Sequence, residues 1–346
     1  MRILVATSST IPGYSGGWTT TLDLIGEEHE PTYLIAGAGP GMHSMEGVRY
    51  VGLGIAENRS SSMGRRLAGL ARQMISPPAL KWAFRRFGSD LVLCLDEVMG
   101  FAALRAGLPY AMRFHNQVSD AVLGEPLQRL LEGALFATAC QGSGVPGVEV
   151  LPHNQDLSRF DFSPPSRPER ALLLTCINEE HEPHVFLEGV VRSREMTGDI
   201  IGTGPLRKSI ERMCRATGGR VRCLDPVPRL DLGRLSGLYQ VGVATLVDRP
   251  GINKYQMKIN MYLACGMHAL VKPFSHIVGE APRFVHTFGD PGELAERLDE
   301  IRARWIELED IRVQAREWVM KNSSVDIPRR RFRELLEQAP ANGSRR

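Results

Sequence analysis

Two lysines, Lys254 and Lys258, stand four apart in NKYQMKINMYLACGM (253–267), just after the breaker pair Pro250-Gly251. On a helix that spacing brings both ammonium groups to one face. A helix N-terminus already carries partial positive charge, so two cations and Asn253 placed there favour a bound anion. The back half, from Tyr262 to Cys265, reads as a buried helix closing on Gly266. A pair of solvated lysines would show the same spacing. The position of this pair, after an apolar run at 241–247, weighs toward a site.

Other residues have chemistry-bearing contexts. GYSGGW (13–18) carries Gly16 and Gly17 between a strand and a helix, where backbone N–H groups can face a phosphate or a sugar hydroxyl. A tight packing turn gives the same pattern, and the spacing is not that of a dinucleotide fingerprint. IIGTGPLRKSIE (200–211) repeats the theme with Gly202 and Gly204, a helix-opening Pro205, and then Arg207 and Lys208. His115 ends the strand YAMRFH with Arg113, Asn116 and Asp120 nearby, and Asp96 and Glu97 end DLVLCLD. Open α/β sheets bind ligands at such strand ends, so His115 is the catalytic candidate and Asp96, Glu97 and Arg113 are candidates on the acceptor side. Arg59, Arg65, Arg66, Arg72, Lys81, Arg85 and Arg86 form a run with no acid between Glu57 and Asp90. Such a face suits a polyanion or a membrane surface, or is a solvated basic helix.

The elements that must position these residues alternate along the chain. Strands are expected at 2–7, 31–37, 48–54, 90–96, 110–115, 134–140 and 148–153, then at 170–176, 199–204, 221–227, 241–247 and 268–273. Helical patterns fall between them, at 19–28, 62–87 (broken at Pro77-Pro78), 100–106, 125–133, 184–196 and 206–217. A long helical region at 291–321 and a last helix at 329–339 follow. The alternation implies parallel α/β sheets in two doubly wound domains in tandem. The proline-rich DFSPPSRPER marks the boundary: domain 1–160, linker 161–169, domain 170–328, with 329–339 packing back on the first.

The chain has 346 residues, 43% hydrophobic and 23% charged, with net charge +3, which fits a soluble globular protein and does not demand a polyanionic partner. Six scattered cysteines form no CxxC pair, and Pro183 separates His181 from His184, so no metal site is expected. Buried thiols suit a reducing cytosol. The N-terminus reads as a strand rather than a signal peptide, and no apolar run is long enough to span a membrane.

These pieces, in this order, resemble the retaining glycosyltransferases of the GT-B fold, the large group that includes sucrose synthases and bacterial mannosyltransferases. The resemblance rests on Gly16-Gly17, DLVLCLD, GFAALRAGLP, His115, VLPHNQDLSRF, GTGPLRKSIE, VRCLDPVPRLDLGRLSGLY and KINMYLACGMHALV. It implies two Rossmann-like domains facing a cleft, with a nucleotide sugar held mostly by the second domain and an acceptor by the first. It implies transfer of a hexose or pentose to a hydroxyl with retention, without a metal or resident cofactor. Gly16 and Gly17 would approach the donor phosphate or sugar, and His115 would contact the sugar near the reacting carbon. Gly202 and Gly204 would line the nucleotide side, and Lys258, with Asn253 and Lys254, would face the phosphates or ribose.

The chain departs from the family's pattern at four donor positions and at the residue pair before the linker. Thr175 or Cys176 stands where an arginine is usual, and His181 where a lysine is. Asn253 and Met261 replace two glutamates eight apart, and His153-Asn154 replaces an Asn-Gly pair. Lys254 and Lys258 would restore part of the missing charge. A catalytically degenerate binding module and a nucleotide-sugar epimerase are the alternative readings. The acceptor classes that fit the basic 59–86 segment are a lipid headgroup, a polysaccharide or a modified nucleic-acid base. The implied setting is the cytoplasm, with peripheral attachment to a membrane surface as a variant.

Overall fold

The computed structural model describes residues 1–7, 21, 23–26, 29, 31–35, 41–45, 48–53, 76–114, 125–140, 145–152, 154, 156–162, 169–227, 237–249 and 256–343. The chain divides into two compact units, Met1–Asn154 with Val325–Arg346, and Gln155–Ser324.

Among the described residues the first unit holds an eight-stranded sheet. Its strands are β1 (Ile3–Thr7), β2 (Pro31–Ile35), β3 (Gly41–Met45), β4 (Val48–Gly52), β5 (Leu91–Cys94), β6 (Tyr110–Phe114), β7 (Ala137–Ala139) and β8 (Val148–Val150). They lie in the order β3-β4-β2-β1-β5-β6-β7-β8, all parallel except the antiparallel β3–β4 pair. β1, β5 and β6 are buried along their whole length, as strands covered on both faces must be. The alternation of side chains along a strand sorts them into two cores. Leu4 and Ala6 pack with Leu80, Ala83, Met99, Ala102, Ala103 and Leu130, from helical residues 76–86 and the helices Glu97–Ala106 and Glu125–Gly133. Ile3 and Val5 face the other way, against Leu24, Ile25, Phe332 and Leu336, the last two from the helix Asp326–Gly343.

The second unit holds a six-stranded parallel sheet among the described residues. Its strands are β9 (Arg170–Leu174), β10 (Thr197–Ile201), β11 (Val221–Leu224), β12 (Val241–Ala244), β13 (His268–Val271) and β14 (Val285–Thr287). The order is β11-β10-β9-β12-β13-β14. Counted within the unit this is 3-2-1-4-5-6, the doubly wound order whose direction reverses between β9 and β12. The helices Pro183–Arg192, Arg207–Arg215 and Pro291–Ala303 cover one face, through Phe186, Val190, Ile210, Leu294 and Leu298. The helices Met257–Ala264 and Glu309–Asn322 cover the other, through Ile259, Leu263, Ala315 and Val319.

Several elements differ from the sequence expectation. Residues 76–86 form a helix that carries Pro77 and Pro78 at its described start, while 62–75, and with them the expected break, lie outside the described residues. Both prolines fall in the first described turn, where a missing N–H costs nothing. The helical region 291–321 is two helices, separated by a turn at 304–308. β3 and β14 carry no clear strand pattern in GMHSM and VHT, and were not expected. The helix of the opening stretch begins at Met257, with Gln256 as its N-cap residue. Lys254, and with it the pairing of Lys254 and Lys258 on one face, lies outside the described residues.

Candidate functional site

The carboxyl end of the second unit's sheet is built around a parting of strands. β9 and β12 pair only at Val241–Ala171 and Gly242–Leu172. Beyond that point the Tyr262 hydroxyl fills the gap. It accepts from the Leu174 N–H at 3.0 Å and donates to the Val243 carbonyl at 3.3 Å. It thus satisfies backbone groups that the parting strands would leave bare. The ring fits because position 242 is glycine: a Cβ there would lie 2.1 Å from the Tyr262 ring. Tyr262 thereby ties the helix Met257–Ala264 to the switch point and sets where its N-terminal turn stands.

Lys258 lies in that first turn. Its Nζ is shut off from solvent and has no hydrogen-bond partner among the described residues. Burial pulls its pKa from the ordinary 10.5 down to about 7, offset in part by the neighbouring Cys176. His181, on the loop after β9, is its other titratable neighbour. Burial first, and the Lys258 charge second, hold its imidazole down to about 3. Its Nδ1 is likewise buried without a partner among the described residues. The loop holding it is fixed by the Asn178 side chain, which accepts from the His181 N–H at 3.1 Å, and by Thr245, whose hydroxyl donates to the His181 carbonyl oxygen. Gln256, just before the helix, is buried with both side-chain amide atoms unpartnered among the described residues.

Gly202 and Gly204 brace this loop from β10. The Thr175 N–H donates to Ile201 O at 3.0 Å and the Ile177 N–H to Thr203 O at 2.8 Å. A Cβ at Gly202 would stand 1.8 Å from the Thr175 carbonyl oxygen, and one at Gly204 would stand 2.4 Å from that of Ile177. Both glycines are therefore required by close backbone approach, and Cys176, exposed, sits between the two braced residues. Arg207 does not offer its charge to a ligand. Its guanidinium bonds Gly202 O at 2.7 Å, Glu211 at 2.7 Å and Asp225 at 2.8 Å. Met261, which the resemblance sets at a glutamate position, is buried in the core.

The first unit has its own switch point beside β1, between β2 and β5. Asp96 stands there. It caps the helix Glu97–Ala106 by accepting from the Met99 N–H at 3.0 Å, and also accepts from the Thr7 hydroxyl at 3.2 Å. Glu97, the first helical residue, is exposed. Arg113 is fully buried, its Nη1 3.5 Å from the Thr138 hydroxyl, with no partner for Nε among the described residues. That burial puts it beneath any surface an acceptor touches, so its place in the structure is interior. Gly16, Gly17, His115, Asn253 and Lys254 lie outside the described residues. Among the described residues no group of three His, Cys, Asp or Glu side chains is arranged to hold a metal.

The spacing of Lys258 was visible in the sequence, but the isolation of its Nζ was not. His181 and Tyr262 were passed over as site residues. His181 was marked only by standing at a family lysine position. Nothing in YLACG separates the Tyr262 hydroxyl from an ordinary core aromatic.

No protein family and no curated protein matches the chain. Solved structures do. HepE of Anabaena, in complex with UDP and glucose, is 14% identical with a TM-score of 0.70, covering 97% of this chain and 99% of its own. A sucrose-phosphate synthase of Thermosynechococcus elongatus is 12% identical with a TM-score of 0.73, covering 99% of both chains. A glycosyltransferase of Rickettsia africae is 12% identical with a TM-score of 0.68, again covering 99% of both. These likenesses, with the two parallel sheets, show that the chain has the GT-B fold.

Proposed function

We propose that the protein is a glycosyltransferase that moves a sugar from a nucleoside-diphosphate sugar to a hydroxyl acceptor, with retention and without a metal or resident cofactor. The observation that carries the reading is Lys258. A buried lysine Nζ with no partner among the described residues, in the first turn of a helix at the switch point of a doubly wound sheet, calls for an anion. A diphosphate supplies that charge, and it gains charge as the sugar departs, so the same lysine stabilises the leaving group. Similar structures described with UDP and with UDP-glucose support this choice of ligand. In this reading Gly202 and Gly204 shape the loop beside the nucleotide. Asn253 and Lys254 extend the donor site, Gly16 and Gly17 approach the donor, and His115 contacts the sugar. Asp96 and Glu97 face the acceptor.

A thermal-shift panel of UDP, GDP, ADP, TDP and CDP sugars tests the reading. At least one should raise the melting temperature at saturating concentration, and a flat response to all five would sink it. Met261 favours a second reading, a binding module on this fold without transferase activity. An apolar core residue stands where the family places a donor carboxylate. Sugar transfer to any acceptor by the purified chain would reject that alternative.

For the acceptor we infer an anionic surface bearing lipid headgroups. The helical residues 76–86 bury Leu80 and Ala83 while exposing Lys81, Trp82, Arg85 and Arg86. An indole among cations suits the boundary between lipid headgroups and acyl chains.

A further inference from the structure

At the parting of β9 and β12 two basic side chains lie within electrostatic reach of each other, Lys258 on its helix and His181 on the loop after β9. Neither Nζ of Lys258 nor Nδ1 of His181 meets solvent or a hydrogen-bond partner among the described residues. Among the described residues, the charged and titratable groups around them compensate a cation only in part. Cys176, on the same loop, favours the Lys258 ammonium only in part. Glu182, one residue beyond His181, turns its carboxylate toward Lys272, at 3.7 Å. The loop after β12 contributes Thr245, whose hydroxyl donates to the His181 carbonyl oxygen and whose backbone carbonyl accepts from the His181 ring.

We propose that the diphosphate enters this site together with a proton. Lys258 is a neutral amine in the empty site and becomes an ammonium as the anion arrives, while His181 beside it remains neutral. The proton comes from solvent onto the Nζ lone pair, and the negative charge it meets is the ligand's. The inference rests on the nucleotide-sugar reading above and adds the protonation state in which the donor is accepted. Burial supports it: it holds Lys258 at about 7 and His181 at about 3, so both are largely neutral in mildly alkaline solution. An arriving anion reverses the balance at Lys258, because a nearby opposite charge favours the protonated form. At His181 the starting point lies too low for the same reversal near neutral pH. The sign follows: apparent affinity is flat below pH 7 and falls roughly tenfold per pH unit well above it.

Calorimetry tests this with UDP-glucose, the other nucleotide sugars run in parallel, at pH 6 and pH 8 in buffers of low and high ionisation enthalpy. The phosphates of a nucleotide sugar do not change charge over that range, so any proton exchanged belongs to the protein. With Lys258 at about 7, uptake should be roughly nine-tenths of a proton at pH 8 and one-tenth at pH 6. Lys258→Arg should bind without uptake, because a guanidinium does not titrate here. Lys258→Met should weaken binding at least tenfold while the protein stays folded by thermal melt. His181→Phe should leave the uptake in place, because the proton goes to Lys258; loss of the uptake in that variant would overturn its assignment to Lys258. Buffer-independent heats at pH 8 with binding intact would overturn the proton-coupled entry and leave the functional reading standing. Absence of binding by every nucleotide sugar would bring down both.

Discussion

At the scale of single residues, Lys258 sets stability and binding against each other. In the empty protein its charged form is penalised by burial, offset only in part by Cys176, and has no hydrogen-bond partner among the described residues. Replacing a buried, unsatisfied charge with an apolar side chain of similar length is commonly stabilising. Lys258→Met should therefore raise the stability of the ligand-free protein by ~1–4 kcal/mol at pH 7. The folded-state pKa, about 7, lies below the ordinary 10.5, so between those values the unfolded chain holds more protons than the folded one. Wild-type stability therefore climbs through that window, and the advantage of Lys258→Met shrinks as pH rises. Thermal melts of both proteins across this pH range would show it. Binding should move the opposite way: Lys258→Ala should weaken nucleotide binding more than Lys208→Ala, a surface substitution beside the ion-paired Arg207. Equal losses by calorimetry would return Lys258 to an ordinary lysine. Residue types told part of this in advance. The lysine could be seen in the sequence, but its isolation depends on what the fold packs around Nζ, and no spacing rule reports that.

At the scale of elements, the junction of β9 and β12 depends on one hydroxyl. Tyr262→Phe keeps the ring against Gly242 but strips the acceptor from the Leu174 N–H and the donor from Val243 O. A buried donor left unsatisfied costs about 1–3 kcal/mol, so the melting temperature should drop and nucleotide affinity should fall with it. Gly242→Ala, by contrast, drives a methyl into the ring and should damage the unit more severely. A second junction, at the opposite end of β13, is acid-sensitive. His268 Nδ1 lies 3.4 Å from His286 Nε2, and burial, His286 and Arg312 hold His268 down to about 3. The unfolded chain takes a proton near the ordinary 6.5 that the folded chain refuses until about 3, so stability is lost as pH falls through that window. His268→Gln should flatten this acid limb in pH-dependent melts. The strands of the β9–β12 junction were legible because parallel strands buried on both faces read as unbroken apolar runs, as in RALLL and VGVA. β3 and β14 were not, since GMHSM and VHT owe their conformation to pairing at a sheet edge. The short turn dividing 291–303 from 309–322 hid within a continuous helical pattern for the same reason: tertiary packing decided it.

At the scale of the whole molecule, two surfaces carry predictions. The exposed Lys81, Trp82, Arg85 and Arg86 should give co-sedimentation with anionic vesicles that salt weakens, and little with zwitterionic ones. Lys81→Glu with Arg85→Glu should abolish it, and binding to an RNA or heparin column without vesicle binding would replace the lipid by another polyanion. The other surface is interior. The helix Asp326–Gly343 buries Phe332 against Phe136 at 5.7 Å, and Arg331 pairs with Glu149, Nη2 to Oε2 at 2.8 Å. Phe332→Ala should cost about 3–5 kcal/mol in the first unit, as removal of a fully buried aromatic does.

The return of that helix also imposes an order of events. Residues 155–324 form an unbroken stretch, so the second unit can fold as soon as it is made. The first unit cannot, because Ile3, Val5, Leu91 and Leu93 share their core with Phe332 and Leu336. During synthesis at ~5–20 residues per second, the sheet begun at Ile3 waits on the order of ten to forty seconds after Asn154 for its last covering helix. Over that interval the nascent chain presents an open apolar face, and a chaperone that shields it would set the yield of the finished protein.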